Sequence, residues 1–154
     1  LTPIWKLGRY TDDNFSSESR PSTALACRPR DTQTLDALFD AFAEAWHFPP
    51  WFGRNGAAFD DFMRDLHNMI EASMRKPPAP GYLTQITDAH LILAGQPEAF
   101  AWFAKCMPFY RDYYRDEASP PATFGLLVSA PPDQLSEVRG RWLAVDVPVA
   151  TLTV

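Results

Sequence analysis

Cysteine is scarce in this chain: Cys27 and Cys106 are the only two, far apart and without a CxxC pair, so no disulfide framework is expected. The three histidines, His47, His67 and His90, do not fall at metal-ligand spacing, and neither a zinc site nor any other cofactor is expected. None of them lies in a nucleophile, zinc or phosphate-loop pattern either, which leaves an enzyme reading without a residue to carry it. Long apolar runs are missing, since no stretch approaches the roughly 20 apolar residues of a membrane-spanning helix. The opening Leu-Thr-Pro-Ile-Trp-Lys-Leu has neither the basic nor the apolar region of a secretory signal. Positive charge is in deficit, with 14 Lys and Arg against 19 Asp and Glu, a net charge of -5 and a pI near 5.1. A general nucleic-acid binder needs clustered cations to displace counterions from phosphates, so the expected partner is a basic protein, not nucleic acid or a membrane. Reduced thiols and an acidic surface lead to the expectation of a cytoplasmic protein; nothing in the sequence marks an oligomeric state.

Aromatic residues, in contrast, are plentiful at 14%, with apolar types at 46% of the chain, which is material for one well-packed interior. At 154 residues a single domain spanning 1–154 is the economical reading. Residues 11–23 are polar and turn-rich and read as an exposed loop, followed by a short strand over 24–28 that stops at Pro29. Asp31 or Thr32 can cap a helix with Leu35, Leu38, Phe39, Phe42 and Trp46 on one stripe, ending near His47. Phe48-Pro49-Pro50 holds the backbone open, Gly53 permits a turn, and Asn55 is a good cap for a second helix. That helix buries Phe59, Phe62, Met63, Leu66 and Ile70 and displays Ala57, Asp61, Arg64 and Asn68.

Further on, 76–81 reads as a loop, His90 to Ala94 as a strand covered on both faces, and Phe100, Phe103, Met107 and Tyr110 as one helical stripe that Pro108 should kink or split. Thr123 to Ser129 suits another buried strand, and Arg141 to Val147 an edge strand with Trp142 outward. Strands alternating with helices imply an α/β fold on a small, mainly parallel sheet of three strands packed with helices, with an additional N-terminal loop and C-terminal strand.

The informative stretch is His47-Phe-Pro-Pro-Trp-Phe-Gly-Arg-Asn-Gly-Ala-Ala-Phe-Asp-Asp-Phe-Met-Arg-Asp-Leu66. It resembles the barstar family, whose motif runs apolar-Pro-acidic, two aromatics, Gly, any residue, Asn, and then a helix bearing acidic and aromatic residues. Pro49, Trp51, Phe52, Gly53, Asn55, Phe59 and Asp61 match in register, as do the preceding amphipathic helix and the later strand-helix-strand layout. The resemblance covers about 22–130, leaving 1–21 and 131–154 as extensions.

The resemblance implies an inhibitor of a ribonuclease, or an immunity protein of the same fold against another toxin, that plugs the cationic cleft of its partner with carboxylates and an aromatic. It places the partner-binding surface at Trp51, Gly53, Arg54, Asn55, Ala57, Asp60, Asp61 and Asp65, with Trp51 as the contact aromatic and Asp61 as the principal contact acid. Ala57 stands where the family typically has another contact acid, and Arg54 where barstar itself is acidic. The late acidic contact of the family would fall on Asp112, Asp116 or Glu117.

Overall fold

The first helix starts at Thr34, later than Asp31 or Thr32, because it is the Thr34 hydroxyl that accepts from the Ala37 amide, at 3.2 Å. Thr32 is instead buried, and its carbonyl accepts from the Leu93 amide at 2.8 Å; Asp31 lies outside the described residues. The structure is a computed structural model that describes residues 6–7, 23–27, 32–67 and 79–151, with side chains over the last two ranges. Helix α1, Leu35–Ala45, buries Leu38, Phe39, Ala41, Phe42 and Ala45, the stripe its sequence spacing demands. It closes on Trp46, whose buried indole N–H donates to the Thr84 hydroxyl at 3.2 Å, and the chain then leaves the helix through His47 with a φ of 56°.

Helix α2, Gly56–Met63, begins at Asn55 and buries Phe59 and Met63. Phe62 is half-buried, and Ile70 and Asn68 lie outside the described residues. Helix α3, Pro97–Asp116, runs unbroken through Pro108, so the expected split does not occur. Proline forfeits one backbone bond and costs about 3 kcal/mol in a helix interior, but here Phe103, Ala104, Met107, Tyr110 and Tyr114 on both sides of it are buried and hold the helix together.

The sheet has five strands, all parallel, not the three expected. β2, Thr23–Cys27, β3, Gly81–Ile86, and β4, Thr123–Val128, pair in that order. β1, Lys6–Leu7, lies beyond β4 and pairs both with it and with β5, Ala150–Thr151. Both extensions therefore contribute a strand to one sheet, β1 inside it and β5 at its edge; of the loop expected over 11–23, residue 23 opens β2 and the rest lies outside the described residues.

One strand was missed and two strand assignments are overturned. The expected loop ending at Gly81 gives way there to β3, whose Tyr82, Thr84 and Ile86 are buried, while Lys76 to Pro78 lie outside the described residues. The apolar run at 90–94 is no strand: Ala89–Leu91 forms a single 3-10 turn and Leu93 adopts a left-handed φ of 47°. Likewise, 141–147 is not an edge strand. Helix α4, Leu135–Leu143, takes in Arg141, and Trp142 turns inward against Phe100 and Phe103 one helical turn beyond Val138. Arg141 fastens α4 to the 3-10 turn, donating to the His90 and Ile92 carbonyls at 3.1 and 2.7 Å while its guanidinium lies 4.1 Å from the Phe100 ring centre. No helix among the described residues is long and apolar enough to cross a membrane.

Candidate protein-binding surface

The loop between α1 and α2 has one aromatic inside and one outside. Phe52 is half-buried, with ring centres 5.1 to 5.8 Å from Phe48, Phe39 and Phe62, so it anchors the loop to the core. Trp51 stands out beside it, 78% exposed, the most exposed of the large apolar side chains among the described residues. The indole of Trp51 therefore leaves a large apolar face in water, on a loop that its neighbour Phe52 anchors to the core.

What shapes the loop is not where the sequence placed it. Gly53 does not adopt a left-handed conformation; its need is space, since a Cβ there would stand 2.9 Å from the side-chain nitrogen of Asn55, which is held by its cap. The left-handed residue is Arg54, with a φ of 47°. Its guanidinium reaches back to α1, donating to the Asp40 carboxylate at 2.8 Å and to the Asp36 carbonyl at 3.5 Å. Asn55 caps α2 by accepting from the Ala58 amide at 3.0 Å and donates to the Gly53 carbonyl at 3.1 Å. Both of these residues serve loop geometry first, and the charge of Arg54 is answered by Asp40. The sequence carried no signal for that pairing, because no helical or strand spacing links positions 40 and 54.

On α2, Ala57 and Asp61 lie one turn apart and both are exposed. Asp61 has 73% of its side chain in solvent. Asp60, about 100° around the helix, is half-buried. The two carboxylates nonetheless meet at one cation: Arg64 donates to Asp60 at 2.9 to 3.1 Å and to Asp61 at 3.0 Å, and its guanidinium lies 5.8 Å from the Tyr113 ring centre. Partial burial works to lower the Arg64 pKa, but Asp60 and Asp61 outweigh it and raise it, so the cation is permanent. Asp65 is half-buried with His67 3.8 Å away, off the crest formed by Ala57 and Asp61.

The surface is acidic on balance. Residues 32–67 hold six carboxylates, Asp36, Asp40, Glu44, Asp60, Asp61 and Asp65, against Arg54 and Arg64, which leaves thirteen acids against twelve basic residues in the rest of the chain. Almost the whole net charge of -5 therefore resides on the α1-loop-α2 unit. Of the late acids, Asp112 pairs with Arg111 and Arg115 at 2.8 and 3.0 Å and is held below the usual carboxylate range first by its Arg111 hydrogen bond. Asp116 pairs with Arg115 at 2.6 Å, and Glu117 is exposed just beyond the helix end.

The cysteine near this surface, Cys106, is half-buried. Burial, with the Asp60 charge adding to it, pushes the Cys106 thiol up to about 11, so it stays protonated at neutral pH.

Residues 23–124 match the family model described as Barstar (barnase inhibitor). No curated protein and no solved structure matches the chain.

Proposed function

The chain belongs to the barstar family, whose members are inhibitors and not enzymes, and from that premise we propose that it inhibits a ribonuclease by closing the active site with the Trp51 loop and the crest of α2. The observation that carries this reading is the pairing of a solvated indole with a concentrated acidic unit on a rigid support. A ribonuclease cleft gathers cations to hold phosphate. Asp61 offers a carboxylate to that position, Asp60 and Asp61 are kept in place by Arg64, and Trp51 covers the neighbouring catalytic groups and excludes water. The surplus of acids on this unit draws a basic partner in the right orientation before contact, which speeds encounter. The protein acts in the cytoplasm, where its producer needs protection.

A second reading, an immunity protein against a toxin that is not a ribonuclease, is favoured by one observation: Ala57 leaves a neutral gap on the crest where the family carries an acid. Titrating barnase with the purified chain while following RNA hydrolysis separates the two. Loss of activity in proportion to added chain, complete at one equivalent, supports the ribonuclease reading. Full activity at tenfold molar excess overturns it, and protection against a toxin without ribonuclease activity then establishes the second.

A further inference from the structure

The acidic α1-loop-α2 unit carries two arginines, and the structure uses them differently. Arg64 is taken up by the fold: it engages Asp60 through Nε and Asp61 through Nη2, and it lies over Tyr113. Arg54 is engaged through Nη2 alone, which donates to the Asp40 carboxylate and the Asp36 carbonyl. Its Nη1 and Nε make no hydrogen bond with the described residues. Half of the Arg54 side chain is in solvent, and Asp40 is 60% exposed.

Stability does not explain an arginine at this position. The backbone there is left-handed, a conformation that glycine takes freely and that is costly for a residue with a Cβ. An ion pair between two side chains as exposed as these contributes little in return, because water and salt screen it. A loop shaped for stability alone would carry glycine. The residue is nonetheless held firmly: the Asn55 side chain donates to the Gly53 carbonyl on one side of it and accepts from the Ala58 amide on the other. It follows Trp51 by three residues, on the loop that Phe52 anchors to the core. A strained backbone that presents a half-used charge from a fixed position points to contact with something outside the chain.

Resting on the inhibitor reading above, we infer that Arg54 sets partner choice by gripping a carboxylate on the rim of the partner's cleft, beside the position that Trp51 covers. Nη1 and Nε remain to donate to that carboxylate, so the Asp40 pair need not break, and charge-assisted bonds of this kind are strong once the partner excludes water. Asp61 and Arg54 together call for a cleft with cations at its centre and an acid at its edge. A cleft that is cationic up to its edge meets like charge at Arg54 and is disfavoured.

The probes are unmodified barnase and barnase variants in which neutral or basic residues around the cleft rim are changed singly to Glu. Their dissociation constants are measured by calorimetry against wild type, Arg54→Gly and Asp61→Ala. The inference expects at least one rim variant to bind wild type at least fivefold more tightly than unmodified barnase does, and Arg54→Gly to abolish that gain. Because each chain is compared with itself across the probes, a change in folding stability cancels from the cycle. If no rim variant gains fivefold, or if Arg54→Gly keeps the gain, while Asp61→Ala weakens unmodified barnase tenfold or more, the inference fails alone. If wild type binds neither unmodified barnase nor any rim variant, the inhibitor reading falls and the inference with it.

Discussion

Tyr114→Phe removes one oxygen from the core and should be among the costlier single-atom changes in this protein. The ring itself loses nothing, since it is held by a stacked contact with Phe124 and a tilted one with Tyr82 at 5.9 and 5.1 Å. The hydroxyl, however, donates to the Met63 carbonyl at 2.7 Å and accepts from the Leu66 amide at 2.9 Å, just where α2 ends. Both Met63 and Leu66 are fully buried, so water cannot replace the missing partner. Leaving a buried polar group unpaired costs about 1–3 kcal/mol, and with two such groups the expected loss is roughly 2–4 kcal/mol. At roughly 2–4 °C per kcal/mol for a chain of this size, the thermal midpoint should fall by about 5–15 °C. Urea unfolding followed by tryptophan fluorescence reads the loss directly, with Tyr113→Phe at a half-exposed neighbour changing stability by no more than about 0.5 kcal/mol. A loss below about 1 kcal/mol for Tyr114→Phe, with an unchanged denaturant slope, would refute the view that this hydroxyl ties the end of α2 to α3.

Two further outcomes follow from the same structure. Arg54 combines a left-handed backbone with an exposed ion pair to Asp40, so Arg54→Gly relieves the backbone cost that Arg54→Ala retains, and the glycine variant should be the more stable by roughly 0.5–1 kcal/mol in thermal melts; equal stabilities would contradict the left-handed assignment. Burial raises the Cys106 thiol from its usual 9.0 to about 11 and the Tyr110 and Tyr114 hydroxyls further still. The unfolded chain therefore releases these protons first and binds fewer than the folded protein above pH 9, so stability is complete below that pH and declines as pH rises through 11. A urea midpoint that is flat or rising between pH 8 and 10.5 is the contrary result.

Helices were legible in the sequence where one apolar stripe ran long enough. Leu38, Phe39 and Phe42 on α1, Phe59 and Met63 on α2, and Phe100, Phe103, Met107 and Tyr110 on α3 are all buried at the spacing that announces them. Strands were legible only where flanking residues punctuated a compact apolar run, as at Thr123–Val128. The run at 90–94 misled because a short apolar segment looks the same whether it is a strand or an irregular link into the core, and Ile92 and Leu93 are buried without joining the sheet. Gly81–Ile86 was missed because Gly81, Thr84 and Gln85 interrupt its hydrophobicity, although Thr84 finds a buried partner in Trp46. Arg141 to Val147 alternates like a strand, but Leu135, Val138 and Trp142 at helical spacing decide the matter. At the candidate surface, Asn55 as a cap was readable from local chemistry, whereas Trp51 as the outward aromatic came from the family resemblance. The ties of Arg54 to α1 and of Arg64 to Tyr113 were not readable, since they join elements that only the tertiary fold brings together.

The account comes down to whether the Asp61 carboxylate is presented for a partner and not for the fold. The direct measurement is the barnase affinity and the thermal midpoint of Asp61→Ala, taken side by side with wild type. An affinity loss above about 2 kcal/mol with a midpoint within about 2 °C of wild type is the predicted result, as for a charge exposed when free and buried in the complex. Unchanged affinity, or a midpoint that falls as far as the binding does, would contradict it.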